Sequence, residues 1–226
     1  MEKEKKLKIE GECLYCKEIF AKAGITKHLT HHLAELQKQV AGSQNIAYHL
    51  RIEGGPYFLN ILMNEDITMK RLDTFLRKIW LECCGHLSKF YEAGMAKKAG
   101  EVFDRTDKLG YEYDFGSTTT LYIKLLGTYQ SEKNKEIILL SRNEPLLLIC
   151  DNCKLNPSVS ICTVCQDDDY NCLQFCSDCA KIHKKECADF DDYSEAPIVN
   201  SPRMGECAYE GGTIDVERDR LILPIK

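Results

Sequence analysis

The chain has 226 residues, thirteen cysteines, six histidines and a formal net charge of −5. That length suffices for one or two domains with a real core, and a mildly acidic balance argues against a molecule that binds polyanions over its whole surface. No apolar run approaches the ~20 residues that cross a bilayer, and the opening "MEKEKKLKIEGEC" has no apolar signal-peptide core. The expected location is therefore the cytoplasm, where thiols stay reduced and clustered cysteines serve metal rather than bridges.

The first element is a ligand pattern. "CLYCKEIFAKAGITKHLTHHL" places two residues between Cys13 and Cys16 and three between His28 and His32, with Phe20 and Ile25 where a small finger packs its core. The expectation is an N-terminal ββα Cys2His2 zinc finger with linker over 1–44, although one residue is missing from the usual twelve between Cys16 and His28. His31 is also at a permitted distance, and His32 is preferred. Residues 1–45 carry a balance of +2 without any Arg, and Arg is the usual bidentate reader of guanine. DNA or RNA binding through this finger would rest on Lys22 and Lys27 as phosphate contacts. A solvated face is the plainer reading of those lysines.

Residues 45–149 read as a central α+β domain. "IAYHLRIEG" and "PYFLNILMN" are strand patterns joined at Gly54, Gly55 and Pro56. Thr68 caps a helix whose Leu72, Phe75, Leu76, Ile79 and Trp80 form one apolar face. "HLSKFYEAG", "YEYDFG", "TTLYIKLLG" and "KEIILLSRN" follow as strands, with a turn at Gly116 and Ser117. Cys83 and Cys84 beside His86 could bind metal, but one edge of a helix offers poor tetrahedral geometry, and core thiols are the preferred reading. Asp114 is expected to hold the turn through backbone amides.

From Cys150 to Cys187 the chain packs eight cysteines into 38 residues. Cys150/Cys153, Cys162/Cys165 and Cys176/Cys179 are Cys-x2-Cys pairs, and His183/Cys187 is one helical turn apart. Two such pairs complete a zinc tetrahedron, so eight ligands make two closed sites in a module over 150–190. A cross-brace joins the first pair with the third and the second with the fourth, tying the loop-rich segment into one unit; consecutive pairing is the alternative. Cys172 is left over as a competing ligand. The acidic run at Asp167, Asp168 and Asp169 reads as a solvated turn. Residues 150–195 balance to −6, the wrong sign for nucleic acid. The tail 191–226, with Cys207 far from either ligand set, is expected to pack on the central domain.

The helix ending at Trp80, "GHLSKF" and "YEYDFG" together resemble the plasmid Ri open-reading-frame-three-like family, over roughly 45–149 and the ending "VNSPRMGECAYEGG". The flanking cysteine modules are similar to an archaeal-type branch of it. Tyr111, Tyr113, Asp114, Phe115 and Gly116 match the family pattern, whereas Ser117 and the threonines after it depart from its following Asp, Trp and His. The resemblance implies an α+β fold and association with mobile elements, and no reaction. The reading is a zinc-binding, non-enzymatic adaptor with three structural zinc ions and a protein partner. The alternatives are a nucleic-acid accessory acting through the finger, and an enzyme with a site near His86, Asp114 and Cys84.

Overall fold

The computed structural model describes residues 7–133 and 135–218, and the chain divides into two compact units. The larger comprises Ile9–Lys78 and His86–Glu144. The smaller comprises, among the described residues, 7–8, Ile79–Gly85 and 145–218. The architecture is mixed α and β, with a large antiparallel sheet and few helices.

Eight strands build the larger unit: β1 (Glu10–Cys13), β2 (Ile19–Ala21), β3 (Ile46–Gly54), β4 (Tyr57–Asn64), β5 (Ser88–Phe90), β6 (Lys108–Tyr113), β7 (Thr119–Gln130) and β8 (Ile138–Asn143). They lie in the order β2-β1-β8-β4-β3-β7-β6-β5, and each neighbouring pair is antiparallel. Gly55, at φ +56, takes the first position of the two-residue loop between Gly54 and Tyr57. That is the position at which a type II′ hairpin needs glycine. All of β4 is buried, so "YFLNILMN" does not alternate between a buried and an exposed face, and its buried Asn60 amide donates to Ser141 Oγ at 2.9 Å.

Helix α1 (Lys22–Gln39) lays Ile25, Leu29 and Leu33 on one face of the sheet, against Ala47, Phe58, Leu62 and Leu140. Their spacing of four is one stripe of a helix, and burying each contributes about 1.5–3 kcal/mol. The expected border at 44/45 is consequently not a border between compact units. β1 pairs with β8 through Cys13↔Ser141, and a Cβ on Gly11 would stand 2.6 Å from the Phe58 ring and 2.9 Å from the Arg142 carbonyl oxygen. Only glycine lets β1 approach so closely.

Helix α2 (Met69–Leu76) starts after Thr68, but no side chain caps it. The amides of Met69 and Lys70 instead donate to the carbonyls of Lys97 and Met95, each at 2.8 Å. The single helix expected through Trp80 widens into a π-helical turn over Arg77–Leu81. Asp73, fully buried, accepts Arg77 Nε at 3.1 Å, Ser88 Oγ at 2.5 Å and Tyr111 Oη at 2.8 Å. The short helix α3 (Ala99–Phe103) had no sequence counterpart.

The smaller unit carries a three-stranded antiparallel sheet, β10 (Cys172–Phe175), β9 (Ser160–Gln166) and β11 (Glu195–Pro197) in that order, and helix α4 (Ser177–Glu186). The tail through residue 218 belongs to this unit rather than to the large-sheet unit. Among the described residues no helix is long and apolar enough to cross a membrane.

Candidate metal centres

The front donors are brought together by a hairpin and a helix. Cys13 ends β1 in full burial, and the turn after it returns Lys17 N–H to the Cys13 carbonyl at 2.7 Å. Lys17 makes that turn in the left-handed region, at φ +64. His28 and His32 lie four apart on α1, so both rings face the turn. His28 Nε2 stands 3.2 Å from Cys16 Sγ and 3.0 Å from His32 Nε2. Phe20 stacks on the His28 ring at 4.0 Å and Tyr15 tilts against His32 at 5.5 Å, which fixes both imidazoles. One donor atom from each of Cys13, Cys16, His28 and His32 lies within 4.8 Å of the other three. Burial, then the neighbouring His32, holds His28 below its ordinary pKa, in the neutral form a ligand requires.

The cysteine-rich segment forms two further groups of the same tightness: Cys150, Cys153, Cys176 and Cys179, and Cys162, Cys165, His183 and Cys187. First pair meets third, and second meets fourth. The first knuckle repeats the front one. Lys154, at φ +54, donates its N–H to the Cys150 carbonyl at 2.9 Å. Cys176 is the residue before α4 and Cys179 lies in its first turn, while Cys187 ends it one turn after His183. The pair on β9 faces this helix because Cys165 folds its N–H back toward Cys162 Sγ at 3.4 Å.

The donor geometry fits a tetrahedral ion. Two thiolates each ~2.3 Å from one zinc stand about 3.8 Å apart, and a disulfide would require ~2.05 Å. Cys153 and Cys176 are 3.9 Å apart, Cys165 and Cys187 3.7 Å, and no cysteine is in a disulfide. His183 Nε2 is buried with no hydrogen-bond partner, an arrangement that costs free energy unless something else takes its lone pair. Its ring is clamped by Phe175 at 4.2 Å and by the edge of Phe190 at 4.9 Å. The amides of Asn156 and Leu155 draw the Cys153 thiol down to about 6. Burial and the facing thiols push Cys179 up to about 12. Thiolates gathered so closely repel one another, and a divalent cation removes that conflict. Soft sulfur sets of this kind suit zinc rather than magnesium or calcium. With four protein donors each, an ion held in these groups would have no position for a reactive water.

The remaining candidates disperse. Lys27 is exposed, but Lys22 is bound to Glu53 at 3.2 Å and lies over the Phe58 ring. Cys172 sits half-buried beside Ile161, Ala196 and Ile198, outside every donor group. Asp167 holds its own turn by accepting the amides of Asp169 and Asn171. Asp114 lies off the strand, at φ +62, and accepts Gly116 N–H at 3.0 Å. His86 Nε2 is 3.5 Å from Asp114 Oδ2. The cavity of about 660 Å³ on the large sheet is lined by Arg51, Glu53, Tyr91 and Tyr122 among others, and neither His86 nor Asp114 lines it. Cys84 is exposed and Cys83 half-buried in a bend after the π-helical turn, so neither is the core thiol expected. Cys207, which sequence reasoning left unassigned, lies 3.4 Å from Cys84. No local signal links residues so far apart in the chain.

No protein-family model matches the chain. No curated protein matches it either. A solved structure of a protein of unknown function from Methanosarcina mazei Go1 aligns at 18% identity with a TM-score of 0.35. The alignment covers 41% of this chain and 65% of that one, so the present chain spans just under two thirds of that protein's length.

Proposed function

We propose that the protein is a zinc-stabilised adaptor, a member of the plasmid Ri open-reading-frame-three-like family, whose ions build surfaces for a protein partner and carry no chemistry. Three zinc ions occupy an N-terminal ββα finger and a cross-brace two-zinc module. The observation that carries this reading is the interleaved pair of groups, each with four protein donors close enough to close a site. The zinc module also displays apolar side chains beside its metal loops: Leu155 is 80% exposed, Tyr170 81% and Tyr193 68%. These side chains are available to a protein partner.

Nucleic-acid reading by the finger is the second possibility, and the helix start weakens it. With Lys22 as the first helical residue, the positions −1, 3 and 6 that meet bases in such fingers are Ala21, Gly24 and Lys27. A methyl and a hydrogen offer no hydrogen bond to a base edge, which leaves the single ammonium of Lys27 to read sequence. Elemental analysis of zinc per chain, with single Cys→Ser changes in each of the three groups, tests the metal assignment. Each change is expected to cost zinc, and a folded protein free of metal sinks the proposal. Fluorescence anisotropy with duplex DNA and single-stranded RNA across salt concentrations separates the two functions. Binding that persists at physiological salt and falls on Lys27→Ala would favour nucleic acid over the adaptor.

A further inference from the structure

We propose that Cys83, Cys84 and Cys207 are thiolate ligands of an additional soft divalent ion, zinc-class, which ties the segment after the π-helical turn to the tail loop of the same unit. The three sulfurs stand together although 123 positions separate Cys84 from Cys207. Cys83 and Cys84 Sγ are 3.7 Å apart, and Cys84 and Cys207 Sγ 3.4 Å. Both distances approach the ~3.8 Å edge of a zinc–thiolate tetrahedron and lie far from the ~2.05 Å of a bond. The Cys83–Cys84 spacing equals the 3.7 Å between Cys165 and Cys187.

The surroundings support a loaded site. Arg203 is fully buried, and its Nη2 lies 3.8 Å from Cys83 Sγ. A divalent ion with three thiolates carries a net charge of −1, and the guanidinium balances it. The tail loop is held in shape before any ion arrives. Glu206 N–H donates to the Arg203 carbonyl at 3.1 Å, Tyr209 N–H to the Glu206 carbonyl at 2.9 Å, and the Tyr209 ring is buried. Cys207 and Ala208 are both in the left-handed region, at φ +48 and +52. Such conformations are costly for residues with a Cβ and persist where surrounding structure imposes them. Opposite the loop, Ser201 Oγ donates to the Trp80 carbonyl at 2.7 Å, bringing the two segments of the smaller unit together.

The test is zinc per chain by native mass spectrometry on full-length protein purified under reductant. Cys84→Ser and Cys207→Ser should each bind one zinc fewer than the parent, while Cys172→Ser binds the parent's number. Cys207 is exposed, so its substitution leaves the core intact. Equal zinc in Cys207→Ser and parent overturns the proposal. So does a parent mass lowered by two hydrogens through a Cys84–Cys207 disulfide. Because the readout is a difference of one ion, its failure is distinct from loss of zinc at the other twelve ligands.

Discussion

Replacing Cys150 and Cys153 together with Ser removes one metal group while leaving all four donors of its neighbour, Cys162, Cys165, His183 and Cys187, in the chain. If the groups were consecutive, the neighbour would not notice. Interleaving makes it notice, because Cys162 and Cys165 lie inside the loop closed by the first ion. An ion in the first group would span 23 positions from Cys153 to Cys176, and one in the second 22 from Cys165 to Cys187. Closing a loop of that size costs about 3.4 kcal/mol of chain entropy. With the first ion bound, only the stretches 153–162, 165–176 and 179–183 remain free, so much of the second closure is already made. The whole loop cost, about 300-fold in affinity, bounds the coupling. We expect the double variant to bind the second ion 10- to 100-fold more weakly. Cobalt(II) substitution reports that site through the charge-transfer and d–d bands of a Cys3His ligand set, and chelator competition gives its affinity. A second-site affinity within twofold of the parent would refute the cross-brace coupling.

Further outcomes follow from the large-sheet unit. His49 is fully buried, its Nε2 3.1 Å from Asn60 Oδ1, and burial holds it down to about 4. The unfolded chain takes up this proton below about pH 6.5 and the folded one only near 4, so stability should fall as pH drops through that window, by about 3 kcal/mol at most. Urea titrations at saturating zinc should show a shallower acid decline for His49→Gln, and identical slopes would contradict the assignment. Asp73→Asn leaves Arg77 half-enclosed without its carboxylate and should cost about 3 kcal/mol, with Asp73→Asn/Arg77→Met recovering part of it. Gly11→Ala drives a methyl into Phe58 and the Arg142 carbonyl and should cost about 1–3 kcal/mol. Faster hydrogen exchange at Glu12, Cys13 and Leu14 would locate that loss at the β1–β8 seam, and unchanged exchange would show that the seam yields freely.

Much of this protein was legible residue by residue. The Cys-x2-Cys spacings and the His pair four apart state local chelate geometry, because two residues between ligands is what a tight turn needs to aim both at one point. The alternation in "IAYHLRIEG" and the Gly55 turn state a hairpin for the same reason: both depend on neighbours in the chain. Local spacing likewise set Asp114 at a turn. It did not decide which pairs share an ion, that β1 adds to the large sheet beside β8, or that the tail joins the cysteine-rich segment in one unit. Those outcomes belong to contacts between residues tens to hundreds of positions apart, where the same local pattern is compatible with several partners. Cys207 shows the difference most plainly. In sequence it is a solitary thiol in a glycine-rich tail, and only the folded chain carries it to Cys84, through a loop whose backbone conformation is imposed by the packing around it.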